Sequence, residues 1–546
     1  MESSSAPEPA LFSAPVVRLR MAVAVPSSAR EGLASLALHG LLALAARAGA
    51  EAEPVFSPGR PAGRPCGHLS GRALGDFELV AFSVAYEEQW PLLPDWLARA
   101  GVPPRARDRD HRHPLVILGG VAARLNPRPV LPFVDALIPG DAEPALPALL
   151  GRLAALRGAG REELLEALAA LPGVATQPFG SGPVRALFAL PGRPVVERLP
   201  RPGSLFDELL LVETGRGCPG GCRFCALGFS RRPAGFFEPE AIRAAVEEAG
   251  PAGRRVGLVG ASLGRHPRLI ELVSTLAELG VDLSPASLDP GALAGPEGPR
   301  LAGWLAGGGQ RSMTLAPEAG SERLRRVLNK PFTDEMLEAA VRRLGEAGLV
   351  HLKLYLMIGL PTETDGDLEA AAELVLRVRG WLARAHRGRG GTGRVALSLN
   401  PFVPKPHTPF AREAMPEAGE LIRRRRLVAA GLRRAGGGIE LSGIAPRQAL
   451  LQAWLARADE RAADLLLACQ GAWPPPAELA RAHGAAATRR GLPALPADSP
   501  VPWSLVDVGL RADFLEAERA SALEERTTPT CPPDGCRLCG ACGPRP

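Results

Sequence analysis

The chain has 546 residues, 46% of them hydrophobic and 22% charged, which suits two or three domains with buried cores and excludes a wholly disordered polymer. The formal net charge of +6 leaves a nucleic-acid partner open, but nearly all the cations are arginines spread along the chain, the usual pattern of solvated faces. No apolar run reaches the roughly 20 residues of a membrane span, and "MESSSAPEPA" at the start lacks the basic and apolar regions of a secretory signal, so a soluble, cytoplasmic protein without a membrane partner is expected.

From residue 18 to about 190, short apolar runs alternate with helical stretches. "RLRMAVAV", "FELVAFSVA", "PLVILGG" and "VDALIPG" read as buried strands, and "AREGLASLALHGLLALAARAG", "EEQWPLLPDWLARAG" and "EPALPALLGRLAAL" as amphipathic helices. Such alternation predicts an α/β, doubly wound, Rossmann-like domain over 1–194. A Pro-rich linker at 195–207 precedes a second alternating series over 208–414. Its strands are "LLLVETGRGC", "RRVGLVG", "GVDLSPAS", "QRSMTLAP", "VHLKLYLMIG" and "RVALSLNPF". Six βα units predict a partial (βα)6 TIM-type barrel, with its chemistry at the C-terminal strand ends. A mainly helical region is expected over 415–525, and a Cys-rich tail over 526–546.

Seven of the nine cysteines fall in two clusters, the spacing of metal ligation rather than of a disulfide framework. The first is "GRGCPGGCRFCALGF", with Cys218, Cys222 and Cys225 at C-x3-C-x2-C directly after a predicted strand. Three thiolates within eight residues suit iron or zinc, and the flanking glycines let the loop curl around a cluster. A zinc site with a distant fourth ligand is the blander alternative.

This segment resembles the radical S-adenosylmethionine (SAM) superfamily. The resemblance implies that the triad holds a 4Fe–4S cluster by three irons and leaves the fourth for the amino and carboxylate groups of SAM. It further implies that an electron from a donor such as ferredoxin or flavodoxin cleaves SAM to a 5′-deoxyadenosyl radical, which attacks an unidentified substrate. "TLAPEAGSERLRRVLNK" is similar to the superfamily's fourth-strand motif: Glu318 would meet the SAM ribose, and Ser321, Arg325 or Lys330 its carboxylate. "KLYLMIGLPTET" resembles the fifth-strand motif, with Gly359 and Pro361 beside the adenine, and "NPFVPKPHTPF" would bring Lys405 and His407 to the barrel mouth. Many members hold the SAM amino group with a Gly-Gly-Glu stretch after the second strand. Here that place reads "LVGASLG", so backbone carbonyls or Ser262 would have to substitute.

The pairing of domains is similar to the radical SAM subgroup with a cobalamin-binding-like N-terminal domain. No D-x-H-x-x-G hexapeptide is present to supply a lower-ligand His, which leaves open cobalamin without that ligand or loss of the cofactor. In the tail, Cys531, Cys536, Cys539 and Cys542 suit either an auxiliary iron–sulfur cluster or zinc. The expected function is therefore SAM-dependent radical chemistry, with cobalamin-dependent methyl transfer as one form of it. The alternatives are a methylthiotransferase-like enzyme, which Cys66 as the lone N-terminal cysteine argues against, and a non-catalytic metal scaffold binding nucleic acid or protein.

Overall fold

The computed structural model describes residues 18–542 apart from 59–62, 181, 198–202, 251–252, 254, 286, 331, 388–392, 435–437, 474–490 and 533–534. The N-terminal decapeptide and part of the 195–207 linker therefore lie outside the described residues. Among these residues no helix is long and apolar enough to cross a membrane.

The N-terminal sheet contains Arg20–Ala24, Glu51–Val55, Leu79–Ser83, Leu115–Gly119, Ala136–Leu137 and Ala175–Thr176. In space the order is second, first, third, fourth, fifth, sixth, and only the sixth strand runs antiparallel. The strands read as continuous apolar runs because both faces are covered. Met21, Val23, Leu79, Ala81 and Ile117 pack under helices Leu36–Arg47 and Leu146–Ala155. The alternate residues Ala22, Val80, Phe82, Val116 and Leu118 face Leu92–Arg99 and two helices from far along the chain, Pro446–Arg457 and Ala463–Ala468. Buried Asn126 fastens that contact, its amide donating to the carbonyls of Ala456 at 3.2 Å and Ala458 at 2.8 Å. The C-terminal region thus forms part of the N-terminal domain's second layer.

The barrel strands are Leu209–Glu213, Arg255–Val259, Leu283–Pro285, Ser312–Glu318, His351–Ile358 and Arg394–Pro401, all parallel. A parallel bridge from Ser287 to Thr314 joins the third strand to the fourth. A seventh strand, Glu440–Ser442, extends the series beside the sixth, within the stretch expected to be mainly helical. At three residues between glycines it is too short to show a period in the sequence. The free edge of the first strand is covered by the linker: Val196 bridges Val212 antiparallel, and Glu213 N–H donates to Val195 O at 2.9 Å. Covering that edge prevents pairing with another chain.

The turn after the fourth N-terminal strand depends on Gly120. Its φ is +98°, and an added Cβ would lie 2.4 Å from the Val84 carbonyl oxygen. Gly120→Ala should therefore destabilise the protein by roughly 2 kcal/mol or more. Gly303→Ala, on an open face of helix Gly298–Gly307 with nothing within 4 Å, should stabilise it by up to about 1 kcal/mol. Denaturation midpoints of the two variants should move in opposite directions, and equal shifts would contradict this account.

Candidate active site

The first barrel strand ends at Glu213, and the chain then makes a short antiparallel pair between Gly215–Arg216 and Gly235–Phe236. This hairpin-like closure holds both ends of the cysteine loop. Gly217, at φ +73°, lies so close to the Arg231 carbonyl that a Cβ would stand 2.6 Å from it. Inside the loop, Gly220 N–H donates to Cys218 Sγ at 3.3 Å. Cys225 caps the short helix Ala226–Ser230, where the amides of Leu227 and Gly228 approach its sulfur. Burial pushes the Cys222 thiol up to about 12, against the opposing pull of Lys330 and Arg265, and burial raises Cys225 as well. A bound metal overcomes such a penalty, because ligation removes the thiol proton outright.

Converging amides and cations are the surroundings an anionic thiolate cluster requires, so the donor set fits iron–sulfur ligation. Among the described residues, no three His, Cys, Asp or Glu side chains are gathered to grip one ion.

The other strand ends surround this loop. Glu318 ends the fourth strand after a register shift, in the left-handed region at φ +69°. Lys330 Nζ donates to Glu318 Oε1 at 2.9 Å and to the Ala316 carbonyl at 2.6 Å. Burial works against the Lys330 cation, but Glu318 and Cys222 hold it above its ordinary range. Glu318, Lys330 and the cysteine loop are thus brought together. Ser262, beyond the second strand, keeps a buried hydroxyl that no group in the structure satisfies. Such an orphan calls for an explanation, and a ligand amine is a suitable one. Beside it, the Arg265 guanidinium lies where a Cβ on Gly220 would stand 3.6 Å from it, and it pairs with Asp289 at 3.0 Å, at the end of the third strand. The sequence reading missed both residues. Their only signal was a charge placed just past a strand.

The remaining predicted contacts are engaged elsewhere. Ser321 is the N-cap of helix Glu322–Val327, accepting from Leu324 N–H at 3.1 Å and donating to Asp367 at 2.5 Å. Arg325 is buried against Asp334 and the carbonyls of Ala319 and Gly320. Lys405 forms a bidentate pair with buried Glu87 of the N-terminal domain, at 2.7 and 2.9 Å. His407, at φ +62°, is buried beside the backbone of Arg124 and Leu125, and burial lowers it to about 4, so it is neutral near pH 7. On the fifth strand Lys353 and Tyr355 alternate with buried Leu352, Leu354 and Leu356, which places them on the lumen face, with the ammonium 5.2 Å from the ring centre. Cys531, Cys536, Cys539 and Cys542 lie in the tail, which runs against the cysteine loop: Cys531 N–H donates to Pro219 O at 2.8 Å.

The sequence profile of the radical SAM superfamily matches residues 212–375, and that of the N-terminal part of radical SAM proteins matches residues 62–176. The chain belongs to the radical SAM superfamily. The first match includes the cysteine loop, Glu318 and Gly359. As a radical SAM enzyme, the protein works with a 4Fe–4S cluster and SAM. It is 27% identical over 358 residues to an uncharacterized protein of Methanocaldococcus jannaschii, covering 64% of this chain and 73% of that one. It is also 27% identical over 298 residues to a tRNA-2-methylthio-N(6)-dimethylallyladenosine synthase of Sorangium cellulosum, covering 48% and 54%. In fold it is similar to the radical SAM methyltransferase TsrM of Kitasatospora setae, solved with cobalamin and a 4Fe–4S cluster bound. The TM-score is 0.50 at 14% identity, over 72% of this chain and 77% of that one.

Within this radical SAM barrel, the loop after the fifth strand turns at Gly359 (φ +79°), followed by partly exposed Pro361. Gly359 N–H donates to Glu363 at 2.8 Å, and Arg424 pairs with the same carboxylate at 2.6 Å. Burial outweighs both and pushes the Glu363 carboxyl up to about 6 from 4.5. The folded chain then holds this proton more tightly than the unfolded one. The resulting stabilisation is complete below pH 4.5 and is lost as pH rises through 6, by about 2 kcal/mol in all. Glu363→Gln should remove that pH-dependent component, read as the difference between wild-type and variant denaturation midpoints from pH 4 to 7. A constant difference would contradict the assignment.

Proposed function

We propose that this radical SAM enzyme transfers a methyl group by way of a corrinoid held in its N-terminal domain. The observation that carries the reading is a cavity of about 260 Å³ at the carboxyl ends of the N-terminal strands. It lies over the ends of the third, fourth and fifth strands of a 2-1-3-4-5 sheet, outside the carboxyl edge along which doubly wound domains take their ligands. Ser83, Gly119, Gly120 and Gly140 line it with small side chains and bare backbone, and Leu36, Leu41 and Leu146 supply an apolar wall. These residues fit the flat nucleotide tail of a corrinoid. No histidine is among the lining residues, so the fit is to a corrinoid without a protein imidazole ligand.

The cavity opens towards the cluster loop. Arg216, two residues before Cys218, lines it and makes a bidentate pair with Glu143 on the cavity rim, at 3.0 and 2.9 Å. Asp141, next on that rim, accepts from Arg231 at the loop's far end. The carrier's site and the cysteine loop are therefore held by one set of charges.

Cys218, Cys222 and Cys225 would hold the 4Fe–4S cluster, which when reduced supplies the single electron that breaks the sulfonium carbon–sulfur bond of SAM. Lys330 lies beside Cys222 and keeps one ammonium N–H after those given to Ala316 and Glu318, with which it would meet the SAM carboxylate, whereas Ser321, Arg325 and Lys405 are engaged away from the loop. Glu318 would accept from the ribose hydroxyls, Ser262 would accept from the amino group, and Gly359 and Pro361 would border the adenine. An external one-electron donor of the ferredoxin or flavodoxin class completes the system. Methylthiolation has less support, because the N-terminal domain has only Cys66, free and exposed.

Anaerobically reconstituted protein given dithionite and SAM should release 5′-deoxyadenosine, and Cys222→Ala should release none. Protein grown with cobalamin should carry cobalt and show corrinoid absorption bands, and Gly40→Trp, which adds bulk on the helix wall of the cavity, should lose both. Cobalt-free protein under saturating supply would rule out the corrinoid route and leave SAM cleavage standing.

A further inference from the structure

The tail is a built part of the active-site wall. Helix Ala512–Leu523 packs on helix Glu322–Val327, and the segment after it runs along the cysteine loop. Arg223, fully buried between Cys222 and Cys225, donates to the Arg526 carbonyl at 2.8 Å and to Glu518 at 3.1 Å. Asn329 donates to both Gly221 O, at 3.1 Å, and Thr528 Oγ1, at 2.8 Å, and its own carbonyl accepts from Thr528 N–H at 2.9 Å. Three residues later Cys531 is tied to Pro219. Consecutive Cα atoms are 3.8 Å apart, so the backbones of Cys531 and Cys218 lie within about 10 Å of each other.

The chain then coils back through Gly535 and Gly540, at φ +77° and +91°. The Arg511 amide donates to the Cys539 carbonyl at 3.0 Å. Cys539 is buried with Phe229, Phe514 and Ala541, and Cys542 packs against them. The Cys531 thiol is within electrostatic reach of the other three tail thiols and of Arg232.

Arg232 marks the site. It is buried, stacked 4.5 Å from the Phe229 ring centre and 5.6 Å from that of Phe514, and its Nε donates to the Gly228 carbonyl at 2.5 Å. Among the described residues no carboxylate pairs with it. A buried guanidinium without a counter-ion is costly; here the Cys531 thiol is within its electrostatic reach, and Cys539 and Cys542 pack with the same Phe229 and Phe514 rings on which it stacks. Four thiolates around a 4Fe–4S core of charge +2 would carry about −2, the missing anion. Zinc sites typically pair two distant C-x2-C knuckles, whereas Cys536, Cys539 and Cys542 form the contiguous C-x2-C-x2-C run of ferredoxin-type clusters.

We propose that Cys531, Cys536, Cys539 and Cys542 bind a second, fully thiolate-ligated iron–sulfur cluster seated against the Cys218 loop, with Arg232 as its buried counter-cation. Every iron of this cluster has a protein ligand, so it has no place for SAM. The proposal concerns metal binding and does not depend on methyl transfer.

The test is iron, sulfide and zinc content of full-length protein purified without oxygen. Wild type should carry about eight irons per chain. C218A/C222A/C225A should keep about half, with a spectrum indifferent to SAM, and C536A/C539A should keep the other, SAM-responsive half. In the triad variant, R232M should lower the reduction potential of the retained cluster, because removing a nearby cation disfavours the added electron. Full iron content in C536A/C539A, or one zinc in place of the tail iron, would overturn the proposal while leaving the SAM site intact. If the triad variant does not fold, the halving in C536A/C539A decides by itself. A SAM response lost with the tail cysteines but kept without the triad would instead overturn the assignment of the first site.

Discussion

Two guanidinium groups, those of Arg216 and Arg223, decide where the three-cysteine loop lies. Arg216 grips Glu143 and Glu213 before the first cysteine. Arg223, inside the loop, satisfies Glu518 and the carbonyls of Arg326, Val327 and Arg526. A glycine-rich loop has little stiffness of its own, so its shape is imposed by these forks from opposite sides. Removing one partner of a buried pair such as Arg223–Glu518 typically costs about 3–5 kcal/mol, because the other charge is left stranded. Lysine cannot replace either residue without losing the planar, multiply donating geometry.

The parallel strands were legible because burial on both faces writes them as continuous apolar runs, as in "LVAFS" and "LVILG". The cysteine triad was legible because its spacing is local. What escaped the sequence is non-local. The helical run after the first strand reads as one helix, yet it divides into Ala29–Gly32 and Leu36–Arg47, where Ser28 and Ser35 take the capping positions. Ser321, Arg325 and Lys405 follow the fourth and sixth strands in the chain, but spacing cannot reveal that Asp367, Asp334 and Glu87 engage them. Arg265 and Asp289 lie on two different strand ends and become neighbours only in the closed barrel.

The boundaries between regions are equally a matter of distant contacts. Composition suggests beads in a row, but the structure interlocks them. The linker covers the barrel's edge strand, the C-terminal region completes both a barrel and a sheet, and the tail lies against the loop some three hundred residues before it. Lys405 and Asn126 act as rivets between these layers: one a charge pair and the other a set of amide donations to otherwise open helix-end carbonyls. Each would be costly to leave half-made, and so they hold the N-terminal cavity and the barrel mouth in fixed relation.

The helices Pro446–Arg457 and Ala463–Ala468 roof part of a sheet whose strands lie some three hundred residues earlier in the chain. Phe82, Val116 and Leu118 therefore wait, on a face covered only in part by helix Leu92–Arg99, for more than three hundred further residues to be translated. At about 5–20 residues per second that is an interval of tens of seconds. The sheet reaches its final form only when these late helices emerge, which makes the nascent chain a natural client for chaperones that shield apolar surface.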